Sequence, residues 1–309
     1  MRSMFRSALL ALALLCGPPA AAADWFETFK DTASDDELLR LMTALPKGGD
    51  LHNHITGAVH SEWFWDLAMR ARERGYRYFT KIKINNCRYG TDEYGPNRYL
   101  LLFRTIPQAH FDSLSPCEQA EYVPLDKLDT PVREAWLNAL RLDADFEGRA
   151  EFFEALWPRI DGMLSNPHLL ADLLVENMKA FGAEGLLYLE AQLPLNGMRD
   201  PQGEPISEDE VVQILRERLR EDDAVATGVT VRFQLAVLRF LPGAERFLEK
   251  IYTFVHAHDD FVGVNMVGRE DNDKGYPLRF LETLRKLRRT VGDVPLAFHA
   301  GEVDEPNEH

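Results

Sequence analysis

The second half of the chain alternates between apolar runs of strand length and amphipathic stretches of helix length. "EGLLYLEAQL" predicts a buried strand and "SEDEVVQILRERLRE" a helix. "GVTVRFQLAVLRF" then predicts a strand, "GAERFLEKIYTFVHAH" a helix, and "FVGVNMVGRED" a strand. "PLRFLETLRKLRRT" predicts another helix, and "VPLAFHAGEV" closes the series as a strand. Strand and helix in strict alternation mean parallel βα units. Apolar strands suit a sheet covered by helices on its outer face.

The first half is less regular. Residues 31–45 predict a capped helix with Ser34 as N-cap, Glu37 three positions later and a stripe of Leu38, Leu39, Leu41 and Met42, stopped by Pro46. "GGDLHNHITGAV" reads as a strand with its turn, and "SEWFWDLAMRARERG" as a helix ending at Gly75. Trp63, Phe64 and Trp65 read as packing residues of that helix rather than a wall for a flat ligand. Residues 76–130 break the rhythm and read as an insertion or small cap. Helical patterns resume in "PVREAWLNALRL", "EGRAEFFEALWPRIDGML" and "HLLADLLVENMKAFG". The fold class is α/β. Its five parallel strands begin with the one carrying "LHNH" and end with the one carrying "HAGE".

Composition adds three constraints. Residues 1–23 have Arg2 and Arg6, an apolar run from Ala8 to Cys16 and then Ala21-Ala22-Ala23 before Asp24. That is the plan of a secretory signal peptide, with residues 24–309 as the exported domain. Leu15 before Cys16 argues against a lipid-anchored start, and the apolar run is too short to stay in a bilayer. The expected location is therefore secreted or periplasmic, with no membrane attachment after cleavage. In that oxidising setting the remaining pair, Cys87 and Cys117, is expected to form one disulfide. The formal charge of -15 excludes nucleic acid as a natural partner, because phosphate binding needs a basic footprint.

The chemistry concentrates at strand ends. His52 and His54 stand two apart, so in a strand both face one side. In a (β/α) barrel the reactive end is the C-terminal end of the strands. His299 ends the fifth strand, and Glu302 follows in the turn-forming "HAGE". Three imidazoles are a zinc-type donor set, and such a site keeps one position for water. His256 and His258 in "HAHDD" have the same spacing but precede the fourth strand, so they are expected at the opposite end, with a structural role.

"LPKGGDLHNHITGA", "FVGVNMVGRED" and "PLAFHAGE" together resemble the adenosine deaminase family of metal-dependent amidohydrolases. The secreted, growth-factor-related branch is the most similar, through its export signal, its extra segment before the second strand and a run like "LWPRIDGMLSNPHLL". The resemblance implies a TIM-type (β/α)8 barrel, here about five of the eight strands, with 76–130 inserted between the first two. It implies one Zn2+ on His52, His54 and His299. It makes Glu302, with a burial-raised pKa, the proton donor to purine N1, and Gly268 a backbone contact to the purine edge. Protonation at N1 makes C6 electrophilic, metal-activated water attacks there, and ammonia leaves. The partner is then a small purine nucleoside, adenosine or deoxyadenosine.

Two departures from the family stand out. Thr56 occupies the place of an aspartate that meets the ribose, though a hydroxyl can also bond. The family also continues through three more strands, which carry a further histidine and two adjacent aspartates. This sequence has no positions for them, and His309 follows Glu302 too closely to be matched. The sequence therefore reads as a truncated deaminase whose activity belongs to the intact parent. Two other readings stand beside it. One is a non-catalytic purine- or metal-binding protein whose open sheet edges are covered by a partner or by a second copy in a homodimer. The other is an amidohydrolase acting on another aminopurine.

Overall fold

The computed structural model describes residues 25–87, 100–268 and 274–301. The leader 1–23, Glu302 and His309 lie outside the described residues. The chain divides into two units, residues 1–46 and 47–309. In the first, α1 spans Trp25–Thr32 and α2 spans Asp35–Ala44. Ser34 caps α2 as the sequence predicts: its side chain accepts from Glu37 N, and the Glu37 carboxylate accepts from Ser34 N. The apolar stripe of α2 is not buried, however, and Leu39 and Met42 are exposed. The reciprocal Ser34–Glu37 bonds satisfy the backbone donors at its start.

The second unit is built on a five-stranded parallel sheet. Its strands are β1 (Gly48–His54), β5 (Leu186–Leu193), β6 (Thr230–Leu238), β7 (Phe261–Val267) and β8 (Leu296–Phe298), hydrogen-bonded in that order. Five strands stand where the hydrophobic pattern places them. One face is apolar and buried: Leu189, Ala191 and Leu193 on β5, Phe233, Leu235 and Val237 on β6, and Val264 and Met266 on β7. The helices between the strands cover that face. They are α9 (Pro167–Ala183), α10 (Glu208–Arg218), α12 (Ala244–His256) and α13 (Leu281–Thr290). In α12, Leu248, Ile251, Tyr252 and Val255 are buried at the spacing of a helical stripe. The capping of α9 is also local: Asn166 Oδ1 accepts from His168 N and Leu169 N, and Pro167 takes a position that needs no donor.

The opposite face carries the polar positions that lie within these largely apolar runs. Glu190, Gln192, Gln234 and Asn265 occupy alternate positions there, and the last three are buried. Period-two alternation sends them to the concave side.

The long connection from β1 to β5 contains the inserted segment. The helix α3 (Ser61–Ala71) buries Phe64, Leu67 and Ala68, and Trp63 and Trp65 pack at the margin of the core. A separate antiparallel sheet follows, in the order β3 (Thr105–Pro107), β2 (Tyr78–Lys81), β4 (Tyr122–Pro124). Short helices α4 (Gln108–Ser113) and α5 (Pro116–Gln119) join β3 to β4. Cys87 and Cys117 are joined, with Cα atoms 5.8 Å apart. Beside them a fully buried Lys81–Glu121 pair, 2.6 Å apart, ties β2 to the start of β4. The helix α6 (Thr130–Asn138) places Trp136 against this sheet, its Nε1 donating to Thr105 Oγ1 at 3.0 Å. Next, α7 (Arg149–Glu151) runs through a π turn, Phe152–Leu156, into α8 (Trp157–Ile160). Pro158 has no N–H and crowds the turn before it, so the helix widens there. The remaining short helix, α11, spans Asp222–Val225. Among the described residues no helix is long and apolar enough to cross a membrane.

Candidate metal centre

The strand β1 does not run evenly beside β5. The register shifts between Asp50 and Asn53. The Asp50 carboxylate holds this irregularity, accepting from His52 N at 3.0 Å and from Asn53 Nδ2 at 3.0 Å. His52 and His54 thereby reach the same point from neighbouring positions, with ring centroids 5.1 Å apart. His299, one residue past β8, comes to meet them across the sheet.

The three Nε2 atoms form a small triangle. Their separations are 3.2 Å for His52–His54, 3.4 Å for His52–His299 and 3.0 Å for His54–His299. A tetrahedral zinc ion with Zn–N bonds near 2.05 Å sets its ligand nitrogens about 3.3 Å apart. The donor set and its spacing therefore fit a divalent metal of that class. His299 Nδ1 lies 3.2 Å from Met266 O, which places the ring proton on Nδ1 and leaves the Nε2 lone pair free. Burial, then the charge of His299, then that of His52 pull His54 down to about 4. His52 is also lowered, chiefly by burial and then by His299, against the opposing carboxylates of Asp50 and Glu190. Neutral imidazole is the ligating form, so both shifts favour metal binding.

No family model matches the chain. In sequence it is similar to an adenosine deaminase of Lutzomyia longipalpis, 21% identical over 299 residues, which are 93% of this chain and 55% of that relative. In fold it is similar to the Arabidopsis ADAL protein complexed with IMP, with a TM-score of 0.53, 17% identity, and coverage of 87% of this chain and 62% of that one. It is likewise similar to the Arabidopsis N6-mAMP deaminase MAPDA, with a TM-score of 0.52, 17% identity, and coverage of 87% and 63%. The likeness to these two structures is one of fold, a curled parallel sheet with helices on its outer face. The chain spans a little over half the length of the curated relative.

Around this half-barrel's histidines the remaining candidates are placed as follows. Gly268 directly follows β7, with φ at 106°, and a Cβ there would stand 2.5 Å from the Phe240 ring. Both facts demand glycine. Thr56 is buried in the turn that follows His54, where Gly57 N and Ala58 N bond to His54 O. His256 and His258 stand at the other end of the sheet, before β7. The His258 ring stacks on Phe254 with centroids 4.0 Å apart, and its Nδ1 lies 2.8 Å from Phe254 O.

Several neighbours of the centre went unrecognised in the sequence. Asn265 is fully buried, and its Nδ2 lies 3.3 Å from His52 Nε2 and 2.7 Å from Gln192 Oε1. Gln234 Nε2 donates to Leu51 O and to Glu190 Oε2, fastening β6 to the bulged part of β1. The available signal was a polar residue at every second position of otherwise apolar strands.

Proposed function

We propose that the intact protein is a zinc-dependent deaminase of a 6-aminopurine nucleoside, adding water at C6 and releasing ammonia. The nitrogen triangle of His52, His54 and His299 carries this reading. The sequence relative is named an adenosine deaminase, and one fold relative an N6-mAMP deaminase, which supports an adenine-type ring as the substrate. In such a donor set zinc supplies a Lewis acid and lowers the pKa of a water to about 7. This chain's residues do the rest. The Met266 carbonyl fixes the His299 tautomer, the Asp50 bulge aims His52 and His54 together, and Glu302 donates a proton to the ring. Gly268 and Thr56 are assigned to the purine edge and the sugar. We assign the working location to the secreted or periplasmic side, after removal of residues 1–23.

The test is zinc content by elemental analysis, together with chromatography of adenosine, deoxyadenosine, adenine and AMP after incubation with the purified protein. The expected result is an equimolar amount of zinc, lost in His299→Ala, and conversion of adenosine to inosine. Failure to retain zinc overturns the metal assignment. Zinc retained with none of the four compounds deaminated overturns the catalytic reading and leaves a metal-binding protein.

A further inference from the structure

Arg239 is almost fully buried although it lies one residue past the end of β6. Its guanidinium holds two carbonyls, one just past β7 and one just past β8. Nε and Nη2 donate to Gly268 O at 3.0 and 2.6 Å, and Nη1 donates to His299 O at 2.8 Å. Its own backbone N donates to Val267 O at 3.0 Å. One residue therefore ties the C-terminal ends of β6, β7 and β8 together, at the carbonyls of a candidate metal ligand and of the glycine beside it.

The seat for this side chain is specific. A Cβ at Gly275 would stand 2.7 Å from Arg239 Cγ and 3.1 Å from its Cδ, so the glycine leaves room for the stem. Arg279 holds the same residue from behind, its Nη1 donating to Arg239 O at 2.9 Å while its Nη2 donates to Leu241 O and its guanidinium pairs with Glu245. The partner strand most in need of support is β8. It has three residues and, among the described residues, lies at the edge of the sheet and pairs with β7 alone. His299 stands beyond its end, held by its own N and Nδ1 on Met266 O and by Arg239 on its carbonyl. A planar fork with five donors can hold two carbonyls at fixed angles, and an ammonium on a flexible stem cannot.

We propose that Arg239 is a positioning residue that sets where His299 and Gly268 stand relative to His52 and His54. The proposal rests on the metal reading of the three histidines. It also makes a statement about the metal-free chain, which separates the two.

The experiment compares the full chain with Arg239→Lys, Arg239→Gln and, as a surface control, Arg285→Ala. Hydrogen exchange of segments 264–268 and 296–301 is measured without metal, zinc affinity by competition titration, and overall folding by circular dichroism. The expected result is faster exchange in both segments for Arg239→Lys, with zinc affinity down about 10- to 100-fold, the range for residues that orient a ligand. Arg239→Gln is expected to lose more and the control nothing. Unchanged exchange and unchanged affinity in a folded Arg239→Lys overturn the proposal. A wild-type chain that binds no zinc overturns the metal reading, while the exchange result still decides the clamp. Should both Arg239 variants fail to fold, Gly275→Ala displaces the stem without removing the guanidinium. It is expected to shift exchange and affinity in the same direction by a smaller factor, and no shift there overturns the proposal.

Discussion

Two His-x-His pairs in one chain meet opposite fates. His52 and His54 stand at the C-terminal end of β1, their Nε2 atoms within 3.4 Å of a third imidazole. His256 and His258 stand where α12 gives way to β7, at the other end of the sheet. There the His258 ring lies flat on Phe254, its Nδ1 is engaged by the Phe254 carbonyl, and the His256 ring lies against Gly292. The spacing is the same. What differs is the element. In a strand two residues apart share a side, and strand ends in a curled parallel sheet converge. At a helix end the same interval points two rings in different directions, and each is taken up by its own neighbours.

The comparison breaks most visibly if the wrong pair binds metal. In His54→Ala zinc affinity is expected to fall by more than about a hundredfold, beyond what loss of an outer partner causes. In His258→Ala zinc affinity is expected to stay unchanged, with stability falling by about 1 kcal/mol for the stacked ring. Titration calorimetry with zinc and thermal melts of the metal-free chains read both quantities. Equal affinity losses in the two variants would show that strand position does not separate the pairs.

Why one pair was legible and other parts were not follows from what a sequence pattern can carry. The four later strands stood out because each is a largely apolar run that alternates with a stretch of helical period. His299 could be linked to His52 and His54 because parallel strands place all their C-terminal ends on one side. Glu190, Gln192, Gln234 and Asn265 were hidden inside those same runs, since a concave polar face costs a strand only every second residue. Arg239 gave no signal at all: its value lies in two carbonyls far away in sequence, and no local rule marks them. The antiparallel sheet was illegible for another reason. The strands β3 and β4 have three residues each and both end in proline, too short for any period to register.

The bulge at Asp50 offers a smaller test of how the metal-type pair is aimed. Its carboxylate accepts from His52 N and Asn53 Nδ2 within one turn of chain. Asp50→Ala removes that acceptor while leaving all three imidazoles in place. Zinc affinity is expected to fall about tenfold, and stability by about 1 kcal/mol for the lost hydrogen bonds. Asp50→Asn keeps one acceptor oxygen and is expected to recover part of both. The same measurements on His258→Ala provide the baseline, because that substitution lies outside the centre. An Asp50→Ala chain with wild-type affinity would mean that β5 and the Gln234 bond to Leu51 O set the path of β1 without it.

The smallest expected effect lies beside the structural pair, and it depends on pH. Asp260 follows His258 and opens toward Arg216, whose Nε and Nη2 donate to its two oxygens at 2.8 and 2.7 Å. Burial by itself would raise this carboxyl, but the two Arg216 bonds, the Arg216 charge and the nearby His258 outweigh it, so its pKa is lowered. A lowered carboxyl pKa adds stability that is present above the unfolded value, about 3.9, and lost as pH falls through the folded value. The pair is partly open to solvent on the Arg216 side, so the effect is small. Asp260→Asn is expected to melt slightly lower than wild type at pH 7 and to show a shallower loss of melting temperature between pH 4 and lower values. Both chains are compared without metal, so that protonation of His52 and His54 does not enter through zinc release. If the two curves stay parallel down to acid, Asp260 contributes nothing to acid sensitivity. The Arg216 bonds to Asp260 would then add no pH-dependent stability.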